Sequence, residues 1–316
     1  MRLALIGECM IELQELKPGT IKQSFGGDTL NTAIYCARLA DSLPLRVDYV
    51  TAVGCDSFSE KMIRFWEKKG VGSSLVQKIE GELPGLYYIE LDSSGERVFH
   101  YWRGAAAARK CFEYPDSEEI LQQLSGYEGI YLSGISLAIL TETSRAALIK
   151  RLKELSSNGV SIFFDCNFRP ELWESGCHAA MIYEQLFKMS QIVFLTTKEA
   201  ELLLQGATGF KAHQQLKAHG AIESVIKDGG NPCSISTGDG TIEVPARSVD
   251  KIVDTTAAGD SFSAVYLVAR SFGCDSQESA NMAHSTAAYV IGHRGAMAPL
   301  ESMPISGQRI FDCCRE

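Results

Sequence analysis

The chain lacks an excess of basic charge, a long apolar run and any pair of cysteines at C-x-x-C spacing. Its 30 Lys and Arg stand against 39 Asp and Glu, for a net charge of −9. A broad nucleic-acid-binding face is therefore not what the composition provides, although a local pocket can still hold a small anion. No stretch approaches the roughly 18 apolar residues of a membrane span. The apolar run at 3–7 is too short for the core of a secretory signal. These absences predict a cytosolic protein bound to neither membrane nor nucleic acid. The ten cysteines are scattered from Cys9 to the adjacent Cys313 and Cys314. In a long cytosolic chain that spacing predicts free thiols, not disulfides or a zinc site. The P-loop pattern G-x-x-x-x-G-K-[ST] is missing, as is a strand-adjacent G-x-G-x-x-G. There is no internal repeat, low-complexity tract or long linker.

What is present is a rhythm of short apolar runs and longer helical patterns. Runs at 3–7, 49–53, 129–132, 160–165, 191–195 and 224–227 read as buried strands. The spacing predicts helices over 29–39, 58–69 (closed by Gly70), 143–156, 198–205 and 279–291. Such alternation implies a mostly parallel sheet covered by helices. Two stretches break it. Residues 12–25 and 83–103 show strand-like alternation with no adjacent helix. The second reads as a hairpin turning at Ser93-Ser94-Gly95. The expectation is one α/β domain spanning 1–316, with these two stretches forming a small sheet as a lid.

The most informative segment is Asp254-Thr255-Thr256-Ala257-Ala258-Gly259-Asp260, where an extended stretch meets small residues and then a helical pattern through Phe262, Val265 and Tyr266. Small residues at a helix start let backbone amides approach an anion, and the helix dipole favours negative charge there. A carboxylate in that turn can also accept a hydroxyl proton. The same pattern also suits a plain helix start whose Asp complements the dipole. Phe25-Gly26-Gly27-Asp28-Thr29-Leu30-Asn31 likewise suits either sugar hydroxyls approaching glycine backbone or a simple helix cap at Asp28.

Together these two segments resemble the paired signatures of the ribokinase-like, PfkB-type carbohydrate kinases, G-G-x-x-x-N near one end and D-T-x-G-A-G-D near the other. The resemblance runs essentially end to end. It is strongest toward family members acting on 2-keto-3-deoxygluconate, through Gly7-Glu8-Cys9-Met10-Ile11-Glu12, Leu83-Pro84-Gly85-Leu86-Tyr87-Tyr88, Tyr101-Trp102-Arg103 and Asn167-Phe168-Arg169-Pro170. It implies a three-layer fold and ATP-dependent phosphorylation of that sugar acid at its C6 hydroxyl.

The resemblance also implies roles. Asp260 is the base, and the amides of Ala257, Ala258 and Gly259 stabilise the transferring phosphoryl group. Gly26, Gly27, Asp28 and Asn31 bind the sugar, with Tyr88, Tyr101, Arg103 and Arg169 recognising the sugar acid. An arginine matches a carboxylate in bidentate geometry. Asn167, Thr197, Lys227, Gly229, Ala258, Gly259 and His284 line the ATP site. Glu199 serves magnesium through water. An aspartate of ordinary pKa, near ~3.9, is ionised at neutral pH and needs no tuning to act as base. Two positions depart from the family pattern. Ala257 stands where Gly is usual, so it either keeps an ordinary φ or reshapes the anion hole; Thr196 stands where Asn is usual. The alternatives are a related kinase of a neutral sugar such as fructose or ribose, a non-catalytic sugar sensor and, more distantly, an NAD-dependent oxidoreductase. Self-association through the lid edge is also expected.

Overall fold

The computed structural model describes residues 1–17, 19–91 and 97–314. In chain order its strands are β1 (Arg2–Ile6), β2 (Met10–Lys17), β3 (Thr20–Gly26), β4 (Arg46–Gly54), β5 (Val71–Ile79), β6 (Gly85–Leu91), β7 (Arg97–Trp102), β8 (Gly129–Ser133), β9 (Ser161–Asp165), β10 (Ile192–Thr196), β11 (Glu223–Lys227), β12 (Cys233–Thr237) and β13 (Gly240–Val244). Nine of them form one sheet in the order β13-β12-β11-β10-β9-β8-β1-β4-β5. It is parallel from β11 to β5, and the hairpin β12-β13 adds an antiparallel edge.

The sequence of β1 shows why the sheet sits in the middle. All of Leu3, Ala4, Leu5 and Ile6 are buried, so both faces of the strand are covered, as a parallel sheet requires. Leu3 and Leu5 join a core with Leu30, Ile34, Phe262 and Tyr266. Ala4 and Ile6 join a second core with Ile130, Leu132, Leu148 and Phe164. Two cores on opposite faces of one sheet make three layers, the expected ribokinase-like sandwich.

The remaining four strands form a small sheet, β3-β2-β6-β7. Strand β2 runs parallel to β6, and the β2-β3 and β6-β7 pairs are antiparallel. The two interruptions in the β-α rhythm are therefore one structure. The expected turn at Ser93-Ser94-Gly95 lies outside the described residues. The predicted helices appear with ends moved by at most three residues. The helix Asp28–Ala37 starts at Asp28 itself, with Gly27 as its N-cap, so the cap reading of Asp28 is corrected by one position. No periodic signal had marked β5 or the β12-β13 hairpin. Among the described residues no helix is long and apolar enough to cross a membrane.

Candidate active site

The carboxyl ends of β1, β9, β10 and β11 open into a cleft of about 760 Å³, roofed on one side by the small sheet. In open α/β sheets ligands gather at that end of the strands.

The first wall is the loop after β3. A Cβ on Gly27 would lie 2.1 Å from the Glu8 carbonyl oxygen, so only glycine lets the chain pass that close. This brings Asp28 and Asn31 into the cleft on the first turn of the helix Asp28–Ala37. Asn31 Nδ2 donates to Asp260 Oδ2 at 2.8 Å, and Asn167 Nδ2 donates to Asp28 Oδ2 at 2.8 Å. Three segments distant in sequence are thereby tied around one point. Asn31 Oδ1 is buried without a partner, which leaves an acceptor for a ligand hydroxyl.

The small sheet forms the second wall, and strand parity decides which side chains reach it. Tyr87 pairs across the sheet with Tyr101, and both line the cleft with Phe99. Tyr88 pairs with His100, stacks on it at 6.2 Å and donates to Glu15 at 3.1 Å. It belongs to the other face, and Tyr87 occupies the position expected for it. The Tyr87 hydroxyl donates to Glu12, which also accepts from Ser24 Oγ at 2.5 Å. Arg103 is nearly buried and paired with Glu8, whose exposure is 2 %. Burial raises the Glu8 pKa, while the Arg103 charge and hydrogen bond work against that rise.

The third wall is built at the end of β11 and the start of the helix Ala258–Ser271. Lys227, at the end of β11, donates to Asp165 Oδ2 at 2.8 Å and to Ser263 Oγ at 3.1 Å. Ser263 Oγ donates to the same oxygen at 2.9 Å. Burial alone would lower the Lys227 pKa; the charge and hydrogen bond of Asp165, with Glu199, outweigh it and raise it. A Cβ on Gly259 would sit 3.6 Å from Lys227 Nζ, so the ammonium abuts the start of the helix Ala258–Ser271. That helix's own ladder begins with Ser261 N–H to the Ala257 carbonyl at 2.9 Å. The Gly259 and Asp260 amides precede it, at the open end. The Ala258 amide instead donates to the Thr255 carbonyl at 3.2 Å. His284 lines the same region, edge-on to Phe262 at 5.0 Å, with Nε2 buried and unpartnered.

Ala257 is the N-cap, with φ 62° and ψ 13°. Of the two expectations, ordinary φ is excluded: alanine occupies the left-handed conformation that glycine adopts more cheaply. Asp260 departs further from expectation. Burial first, then the charge of Asp28, raise its pKa to about 7, with Asn31 and Lys227 acting the other way. The pKa of this candidate base is thus shifted, contrary to the reading of an ordinary aspartate.

Glu199 closes a capping box with Thr196: Oε2 accepts from the Thr196 amide at 2.8 Å and Oε1 from the Phe168 amide at 3.0 Å. Arg169 lies 3.7 Å from it and is half exposed. Both Glu199 oxygens are engaged, and no cluster of three metal-ligating side chains occurs among the described residues. The residues therefore suit a magnesium ion that keeps its waters and binds phosphate oxygens.

Of the expected site residues, Gly27, Asp28, Asn31, Tyr101, Arg103, Asn167, Arg169, Glu199, Lys227, Gly229, Ala257, Ala258, Gly259, Asp260 and His284 line the cleft; Gly26, Tyr88 and Thr197 are not among its lining. Glu8, Tyr87 and Asp165 line it without having been singled out. The signal for Tyr87 was available, because a period of two puts it on the face of Tyr101.

Comparison with known proteins matches residues 1–303 to the family described as pfkB family carbohydrate kinase. The chain is 47 % identical over 305 residues to a 2-dehydro-3-deoxygluconokinase of Dickeya dadantii, covering 96 % of this chain and 98 % of that protein. It is 46 % identical over 306 residues to a 2-dehydro-3-deoxygluconokinase of Escherichia coli K12, covering 96 % and 99 %. A candidate ribokinase II from Escherichia coli, solved in complex with ATP and Mg2+, superposes with a TM-score of 0.83 at 21 % identity over 99 % of each chain.

Proposed function

The chain belongs to the pfkB family of carbohydrate kinases, and from that premise we propose that it transfers the γ-phosphoryl group of ATP to the C6 hydroxyl of 2-keto-3-deoxy-D-gluconate, giving 2-keto-3-deoxy-6-phosphogluconate and ADP. The observation that carries the proposal is the Asn31–Asp260 hydrogen bond of 2.8 Å. It fixes a carboxyl at a helix start against the loop that admits a sugar, so acceptor hydroxyl and transferring group meet at one residue. The names of the two relatives near 47 % identity support the choice of sugar acid.

Asp260, once ionised, accepts the hydroxyl proton. The open amides of Gly259 and Asp260 and the Lys227 ammonium face the charge that develops on the transferring group. Asp28 and Asn31 hold sugar hydroxyls. Tyr87 and Tyr101 flank the sugar, and Arg169, half exposed, supplies a cation for its carboxylate. Arg103 is already neutralised by Glu8, so it contributes a fixed donor edge more than net charge. Lys227, Gly229 and Asn167 hold the nucleotide phosphates, with His284 beside the base. Glu199 would help hold magnesium, reaching it through water. When bound, that ion would neutralise phosphate charge.

The reading also takes the chain to be a cytosolic homo-oligomer. Trp102, at 61 % exposure on the edge strand β7, supports association through the small sheet, and sedimentation tests it. The deciding experiment is ADP release with 2-keto-3-deoxygluconate, gluconate, fructose and ribose side by side. The sugar acid should be turned over at least tenfold more efficiently than the others. Equal or better turnover of fructose or ribose would reassign the substrate to a neutral sugar.

A further inference from the structure

The adjacent Cys313 and Cys314 take no part in the proposed chemistry, yet the fold gives them a partner. Cys274 lies in the turn between the helices Ala258–Ser271 and Ser276–Ile291 and is 2 % exposed. Its Sγ is 3.4 Å from Cys314 Sγ, across 40 residues of sequence, and 3.7 Å from the Ile310 carbonyl. Cys314 is exposed and caps the last helix, Gly307–Cys313. A buried thiol fixed against an exposed one is the arrangement thiol–disulfide exchange needs: one sulfur free to attack an oxidant, and a second held ready to resolve the product.

We propose that Cys274 and Cys314 form a thiol–disulfide exchange site, which takes a low-molecular-weight disulfide as oxidant and staples the C-terminal helix to the turn behind the catalytic helix. The Cys314 thiolate attacks one sulfur of the oxidant RSSR, forming a mixed disulfide and releasing RS−, which takes up a proton. Cys274 then loses its proton and attacks the Cys314 sulfur, expelling the second RS−. The sum is two protein thiols and RSSR giving one protein disulfide and two RSH. Closing the bond moves the sulfurs together by roughly 1.4 Å. An exposed residue at the C-cap of a short helix can supply that movement. Burial first, and then the neighbouring thiols of Cys313 and Cys314, push the Cys274 pKa up, so the resolving step is slow and quickens as pH rises.

The remaining exposed thiols supply an internal control. Cys55 and Cys177 are exposed and should stop at mixed disulfides. The experiment incubates the full chain with oxidised glutathione at pH 8, alkylates the remaining thiols and combines intact mass with peptide mapping. A Cys274–Cys314 linked peptide is expected. The melting temperature should rise by roughly 5 °C, reversibly with dithiothreitol, since about 40 residues are enclosed. Cys314→Ser should abolish both effects while keeping the glutathione adducts on Cys55 and Cys177. ADP release should be unchanged in the oxidised protein and in that variant, because neither sulfur lines the cleft. Adducts alone, a Cys274–Cys313 or Cys313–Cys314 linkage, or a linked product that persists in Cys314→Ser would overturn the proposal.

Discussion

Replacing Asp260 by Asn tests the site on two independent axes, because the structure makes this carboxyl hard to ionise. Its pKa of about 7 stands well above the 3.8 of an ordinary aspartate. Between those two values the folded chain keeps a proton that the unfolded chain has lost. Stability from this group is therefore full below the lower value and falls as pH rises toward the upper one. The displacement is worth about 4 kcal/mol at full value. The residue is only partly buried, so ~2 kcal/mol is the working figure after screening. An asparagine loses no proton. Asp260→Asn should accordingly be more stable than wild type at pH 8 by about 2 kcal/mol, with the gap shrinking toward pH 5. The same variant should lose turnover by roughly 100-fold or more, as removal of a general base does. In the wild type, kcat/KM should fall about tenfold per pH unit below pH 7, following the ionised fraction. Thermal melts from pH 5 to 8 and a coupled ADP assay read all three. A stability gap that does not change with pH, a rate flat from pH 5 to 8, or near-normal turnover in the variant would each refute the reasoning.

Other perturbations separate neighbouring residues. Tyr87→Phe should raise KM for the sugar acid several-fold, whereas Tyr88→Phe should leave it within twofold; reversed results would undo the strand parity. Arg169→Ala should raise that KM by roughly tenfold, the value of a charge-assisted hydrogen bond, and barely change the melting temperature, since its side chain is 47 % exposed. Arg103→Ala should instead lower stability by about 3 kcal/mol, because it strands the buried Glu8 carboxylate; denaturant titration distinguishes the two. Ala257→Gly should gain roughly 0.5–1 kcal/mol by relieving the left-handed alanine, with turnover kept within a few-fold.

The fold was legible because its elements announce themselves locally. A strand such as β1 is apolar at every position from Leu3 to Ile6, and only a sheet covered on both faces buries such a run. The two chemical segments were legible for a related reason. Glycine at 27 and small residues around 258 mark places where backbone must approach something closely. The antiparallel β12-β13 edge was not legible. Its burial patterns mix buried and exposed positions, and β13 carries a single buried residue, Val244, so its pairing comes from the neighbouring strand and not from its own pattern.

What remained hidden in the candidate site is what depends on two distant residues at once. Asp260 looked like an ordinary acid because nothing adjacent in sequence perturbs it; its pKa is raised first by burial in the fold and then by the charge of Asp28, which lies on the same helix turn as its partner Asn31. Arg103 looked like a free cation because Glu8 is 95 positions away. Lys227 looked like a phosphate ligand alone, yet Asp165 and Ser263 hold its ammonium beside the helix start. These three cases share one physical consequence. The cleft opposes Arg103, Arg169 and Lys227 with nearby carboxylates, so in the proposed reaction an incoming anion would be held by the charge left over and by oriented backbone amides. Lys227 cannot serve as a loose counterion in such a site: its position is set by Asp165, and in the proposed reaction the phosphoryl group would have to come to it. That constraint also explains how alanine is tolerated at 257. The proposed anion hole would depend on where the helix amides and the clamped ammonium stand, and the left-handed backbone at Ala257, not the identity of its side chain, sets the direction of the turn that presents them.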